Sequence, residues 1–170
     1  MLFSDLFKVQ NILESGIATA SGITEDAIGS ANGSDLRFLA LLVKTGEIAN
    51  LTKCYKFNSK PKEADRNKLI VRYADVLQFL LSIGNYHDFN IINREALQSV
   101  ERMDEQAPLF LSIHATIHKL MASLKSDDFM SALHHYIELF AKIMNLGELL
   151  GLTEDDMFSF YEIHGQAAIY

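Results

Sequence analysis

A single cysteine, Cys54, and no tryptophan occur in this chain of 170 residues. One thiol excludes an internal disulfide and a cysteine-based zinc site, and it fits a reducing, cytoplasmic setting. Proline is also scarce, at Pro61 and Pro108 alone, so long helices are free to form between them. Basic side chains are the minority charge: 15 Lys and Arg against 22 Asp and Glu leave a formal charge of −7. A field of that sign repels phosphate backbones, which argues against nucleic acid as a partner. The apolar run FLALLV falls far short of the roughly 20 residues that cross a bilayer. The start, MLFSDLFKVQ, carries Asp5 and no basic cluster, so neither an anchor nor a targeting segment is expected. Apolar side chains are plentiful, at 49% of residues, enough for one compact domain over residues 1–170.

That apolar content is arranged with helical period. Phe3, Leu6, Phe7, Gln10, Leu13 and Glu14 share a face, and the Gly-, Ser- and Ala-rich stretch from Ser15 to Ser34 reads as a long loop. A second helix, capped by Ser34 or Asp35, places Leu36, Leu39, Ala40, Val43 and Glu47 on its inner face and runs to about Lys56. Asn58 to Pro61 breaks it, and a third helix follows over about Glu63–Gly84 through Leu69, Tyr73, Val76, Leu77, Leu80 and Leu81. Further helices are predicted near Asn93–Asp104, from Pro108 to Leu124, from Ser126 or Asp127 to Leu146, and after a Thr153 cap. Gly147 and Gly151 punctuate the stretch before that cap. No stretch alternates with period two, so the fold class is all-α.

The second and third helices form the centre of the fold. An antiparallel hairpin with its connection near Asn58–Lys62 brings residues of constant summed number to one height, because both helices rise equally per residue. Lys44 then faces Asp75, and Glu47 faces Arg72. Within each helix the cation precedes the acid by three residues, which puts both on one face.

Two stretches here, ALLVKTGEIANLTKCYKFNSK and LIVRYADVLQFLLSIGN, resemble the core of the dimeric all-α dUTPases, relatives of the MazG-type nucleoside triphosphate pyrophosphohydrolases. That family carries Glu-x-x-Glu on one helix and Glu-x-x-Asp on the next, and the four carboxylates hold magnesium ions that polarise the phosphate chain and activate water. The resemblance makes Glu47 and Asp75 remnant metal ligands, with Lys44 and Arg72 standing where the other two acids belong. It also makes Gln10, in LFKVQNIL, the match for a base-contacting glutamine, and Lys56, in CYKFNS, the match for a lysine at the nucleotide. Asn58 replaces the family tryptophan, Gln78 replaces a histidine, and Tyr161 with His164 stands for a Tyr-x-x-Lys element. Ending at Tyr170, the chain also lacks the family's basic tail.

What the resemblance implies is a helical bundle of the dUTPase and MazG-like type, forming a homodimer. Its dUTP diphosphatase activity would be lost or weakened, with a nucleotide-binding or regulatory role retained. Two carboxylates, a lysine and an arginine sum to zero charge, so the need for magnesium is weak or absent. An active magnesium-dependent pyrophosphohydrolase acting on dUTP or a related nucleotide through other acids is the alternative, and a purely structural interaction domain is a third reading. The plain account of Glu47 and Asp75 is an ordinary set of structural ion pairs. Glu101 and Asp104 read as solvated charges at a helix end. His114 and His118, in HATIH, lack the glutamate of a zincin motif and read as core or interface histidines. Adjacent His134 and His135 point to different sides of a helix and carry no metal signal.

Overall fold

The computed structural model describes residues 2–23, 29–58 and 63–169, with the side chains of 30, 31 and 165–169 left aside. Seven helices, α1 (Phe3–Ser21), α2 (Ser30–Thr52), α3 (Arg66–Tyr86), α4 (Arg94–Gln98), α5 (Gln106–Lys125), α6 (Phe129–Leu149) and α7 (Glu154–Ile169), make up the described elements, without a strand among them. The all-α expectation holds.

Local chemistry explains most helix starts. Asp65, Asn93 and Asp128 each accept a backbone N–H three residues on, from Lys68, Ala96 and Ser131. Thr153 Oγ1 accepts from Asp156 N while Asp156 Oδ2 accepts from Thr153 N, a reciprocal cap that starts α7. Arg66 and Arg94 add ion pairs to Asp156 and Glu154 in the same first turn.

Several expectations need correction. The glycine-rich stretch after Glu14 is not a long loop. Helix α1 runs on to Ser21 and stops at Gly22 in the left-handed conformation, and α2 already begins at Ser30, with 24–28 outside the described residues. Small residues permit a helix wherever packing holds its neighbours, and among the described residues of this stretch Gly22 and Gly29 take the positive φ that breaks one. The break expected at Asn58–Pro61 lies mostly outside the described residues, although α2 ends earlier, at Thr52. The segment near Asn93–Asp104 is helical only over Arg94–Gln98, and Glu101 and Asp104 are exposed beyond it.

Helix α2 also turns a different face inward. Phe38, Leu41, Thr45 and Ile48 are buried, whereas Leu36, Leu39 and Val43 are 53%, 58% and 50% exposed. The helix carries apolar residues on two sides, and contact with α3 and α5 selects one of them.

Helix α3 crosses the middle of the bundle and packs on α1, α2, α6 and α7. Two buried tyrosines stitch it to α6 reciprocally: Tyr73 donates to the carbonyl of Ile143, and Tyr136 donates to the carbonyl of Leu80, both at 2.9 Å. Each phenol thereby satisfies its polar end inside an apolar core, as burial demands. Gly147 lies inside α6 rather than punctuating its end. A Cβ there would sit 2.2 Å from Met157 Sδ and 3.0 Å from the Tyr73 ring, so glycine lets α3, α6 and α7 approach. Gly84 does the same for α1, α3 and α6. No helix among the described residues is long and apolar enough to cross a membrane.

Candidate functional site

The α2–α3 hairpin sets four charged side chains into a closed ring. Lys44 Nζ lies 3.3 Å from Glu47 Oε2 on its own helix and 3.4 Å from Asp75 Oδ2 across the hairpin. Arg72 mirrors this: Nη1 is 3.2 Å from Asp75 Oδ2, and Nε is 3.5 Å from Glu47 Oε2. Each cation therefore touches both acids. The cross-hairpin partners are those expected from antiparallel register, because two helices of equal rise keep their numbering in step. All four side chains are partly exposed, at 26% for Lys44, 35% for Glu47, 45% for Arg72 and 27% for Asp75.

This donor set does not fit a magnesium ion. Mg²⁺ demands octahedral oxygen ligation and is drawn by net negative charge. Here a cation placed between Glu47 and Asp75 would meet an ammonium and a guanidinium already seated on both carboxylates. The ring can hold the hairpin together without metal. Its worth for stability is modest at this exposure, since solvent screens each pair.

Beside the ring opens a cleft of about 640 Å³ between α2 and the start of α3. Lys53, Lys68 and Arg72 bring three cations to it against the one carboxylate of Glu47, with Asn50 and Asn67 as amide donors and acceptors. Lys53 donates to Asn50 Oδ1 at 2.7 Å, as does the hydroxyl of Tyr55 at 3.0 Å. The local excess of positive charge suits an anion despite the acidic whole. Periodicity gave no hint of Lys68 or Asn67, because their role depends on facing α2. Lys56 is exposed just past the end of α2, next to a fully exposed Phe57.

A family model described as dUTPase matches residues 2–166. The chain belongs to the dUTPase family. Neither a curated protein nor a solved structure matches it.

In this dUTPase-family chain the other predicted residues lie elsewhere. Gln10 is 4% exposed, and its amide is engaged at both ends: Nε2 donates to Glu14 Oε1 at 3.0 Å, and Oε1 accepts from the Tyr161 hydroxyl at 2.6 Å. Tyr161 is thus a buried tie between α7 and α1, while His164 is exposed. Glu14 Oε2 continues the network to Arg37, which donates to Ser82 Oγ and stacks on Tyr86. Gln78 is half-buried on α3.

The histidines divide. His114 Nε2 lies 3.1 Å from Thr45 Oγ1, which ties α5 to α2. Burial pushes the His114 imidazole below its usual range, helped by His118 one turn on. His134 and His135, expected to carry no metal signal, instead converge with Glu138: one donor atom from each lies within 4.8 Å of the others. Adjacent helical side chains do diverge, yet Glu138, four residues beyond one and three beyond the other, lies on the near face of both. The sequence contained that signal in the spacing of His134, His135 and Glu138.

Proposed function

We propose that this single dUTPase-like domain is a divergent family member that binds a nucleotide for a regulatory purpose and hydrolyses dUTP slowly or not at all. The observation that carries this reading is the closed ring, in which Lys44 and Arg72 each bridge Glu47 and Asp75 and leave no net negative charge for a divalent ion. Lys44 and Arg72 stand in place of two metal-holding carboxylates, and Glu47 and Asp75 are the remnant ligands. The phosphate groups of the nucleotide are held in the adjoining cleft by Lys53, Lys68 and Arg72, with magnesium dispensable, while Lys56, exposed past the end of α2, is a further candidate contact outside the cleft lining. Gln10 is buried with its amide engaged by Tyr161 and Glu14, so it is not presented to the base. The protein is cytoplasmic and takes neither nucleic acid nor membrane as partner. It forms a homodimer, for which the exposed apolar stripe Leu36, Leu39 and Val43 offers a surface beside the ring.

The test is hydrolysis and binding measured together. Purified protein should release pyrophosphate from dUTP far below the ordinary enzyme range of about 1 to 10³ s⁻¹, yet bind dUTP without magnesium and lose affinity on Lys68→Gln. Turnover in the ordinary range that disappears in Glu47→Gln would overturn this reading and establish the second one, an active magnesium-dependent pyrophosphohydrolase, which the family match along residues 2–166 favours. Light scattering should find a dimer at low micromolar concentration, converted to monomer by Leu39→Asp.

A further inference from the structure

We propose that His134, His135 and Glu138 form a binding site for a divalent transition-metal ion of the zinc class, built on α6 and separate from the ring between α2 and α3. Three observations carry this. The first is placement, since donor atoms from the three side chains already lie within 4.8 Å of one another. Zinc takes nitrogen and carboxylate oxygen at about 2.0–2.2 Å, so two tetrahedral donors stand roughly 3.4 Å apart. A bound ion would have to draw the three donors together by rotation about their side-chain bonds.

The second observation is the way Glu138 is held. Its Oε1 accepts from Lys142 Nζ at 2.5 Å and faces Thr116 Oγ1 at 3.4 Å, while Oε2 is turned toward His135 Nδ1 at 3.6 Å. One oxygen is anchored to the interior of the α5–α6 hairpin and the other is presented to the histidines. The carboxylate is therefore oriented, as partners behind a metal ligand are expected to make it.

The third is His135 itself. Its Nδ1 is shielded from solvent and has no hydrogen-bond partner among the described residues, and its 3.6 Å separation from Glu138 is too long for one. Glu138 Oε2 lies in ion-pair range of it, and a metal ion between the two would replace that loose contact with direct ligation. His134 is exposed and closes the site from the solvent side. Two imidazoles and one carboxylate select zinc, nickel or copper over magnesium, which requires oxygen donors. Three protein ligands leave a fourth position to water or an exchangeable ligand.

The experiment is zinc titration of the metal-free, tag-free full chain near neutral pH, by calorimetry and by competition with a chromogenic chelator. One ion should bind per chain, and millimolar magnesium should not displace it. His134→Gln and His135→Gln should each weaken binding by about tenfold or more, the loss typical even of outer-shell changes. The double variant His114→Gln with His118→Gln should leave binding unaltered. Binding that survives both His134→Gln and His135→Gln, or that depends on His114 and His118, overturns the proposal, as does failure of the unaltered protein to bind zinc. Amide spectra of the unaltered protein give a second measurement that needs no variant. Zinc should shift signals of residues 134–138, and shifts confined to other helices would also overturn the site.

Discussion

Reversing both cations of the ring, Lys44→Glu with Arg72→Glu, should make folding stability depend on divalent ions. The ring holds four contacts of 3.2–3.5 Å. Unit charges about 4 Å apart attract by about 1 kcal/mol in water and about 4 kcal/mol at an effective dielectric near 20. Side-chain exposures of 26–45% favour the lower figure, about 0.5–1 kcal/mol each, so the four contacts together contribute roughly 2–4 kcal/mol. Charge reversal removes that attraction and sets four carboxylates against one another, which raises their proton affinity. For a chain of this length each kcal/mol corresponds to about 2–4 °C, so the double variant should melt roughly 5–15 °C lower without metal. Magnesium binding only the folded state returns about 2.7 kcal/mol at a concentration near 100 times Kd, or roughly 5–10 °C. Differential scanning calorimetry across a magnesium series, with ionic strength matched by sodium chloride, reads this directly. The unaltered protein should hardly respond, and each single variant should gain less from magnesium than the double, because it leaves one cation in the cage. A folded double variant whose melting temperature ignored magnesium would refute the argument that these four positions form a metal-competent cage once the cations are gone.

Gly84→Ala should cost about 1–3 kcal/mol in urea denaturation, because the new Cβ would lie 2.2 Å from the Tyr136 hydroxyl and 2.7 Å from the Phe7 ring. Tyr161→Phe strips the buried Gln10 Oε1 of its 2.6 Å donor, and calorimetry should show a loss of about 1–3 kcal/mol with the fold intact. His114 and His87 are both held below the ordinary value of 6.5, chiefly by burial. The unfolded chain therefore binds protons that the folded one refuses, and stability should fall as pH drops from 6.5 toward the depressed folded values, with no such effect above 6.5. Denaturant midpoints on either side of that window should show the fall, and His114→Gln should flatten it.

The two central helices were readable from the chain to a depth that the rest of the molecule was not. Antiparallel register follows from equal rise per residue, so Lys44 opposite Asp75 and Glu47 opposite Arg72 could be placed before any packing was known. Of the helix starts, the Thr153 cap was readable because it is local, whereas the second helix begins after Gly29 rather than at Ser34 or Asp35, and the sixth is capped by Asp128 rather than starting at Ser126 or Asp127. The cationic cleft was not readable: Lys53 and Lys68 become neighbours only when the two helix ends are set side by side. The chain from Glu14 to Ser21 misled because glycine, serine and alanine weaken a helix without forbidding it, and only neighbouring helices settle the balance.

By itself the sequence determined the helical class, the pairing of α2 with α3 and the ring across them, because these depend on period, rise and spacing along the chain. Tertiary structure alone decided which apolar side of α2 is buried, that Gly84 and Gly147 are points of close approach, that Tyr73 and Tyr136 stitch α3 to α6, and that Gln10 is closed over by Tyr161. Each of these depends on which helix lies opposite, and two faces of similar apolarity differ in free energy only once a partner covers one of them.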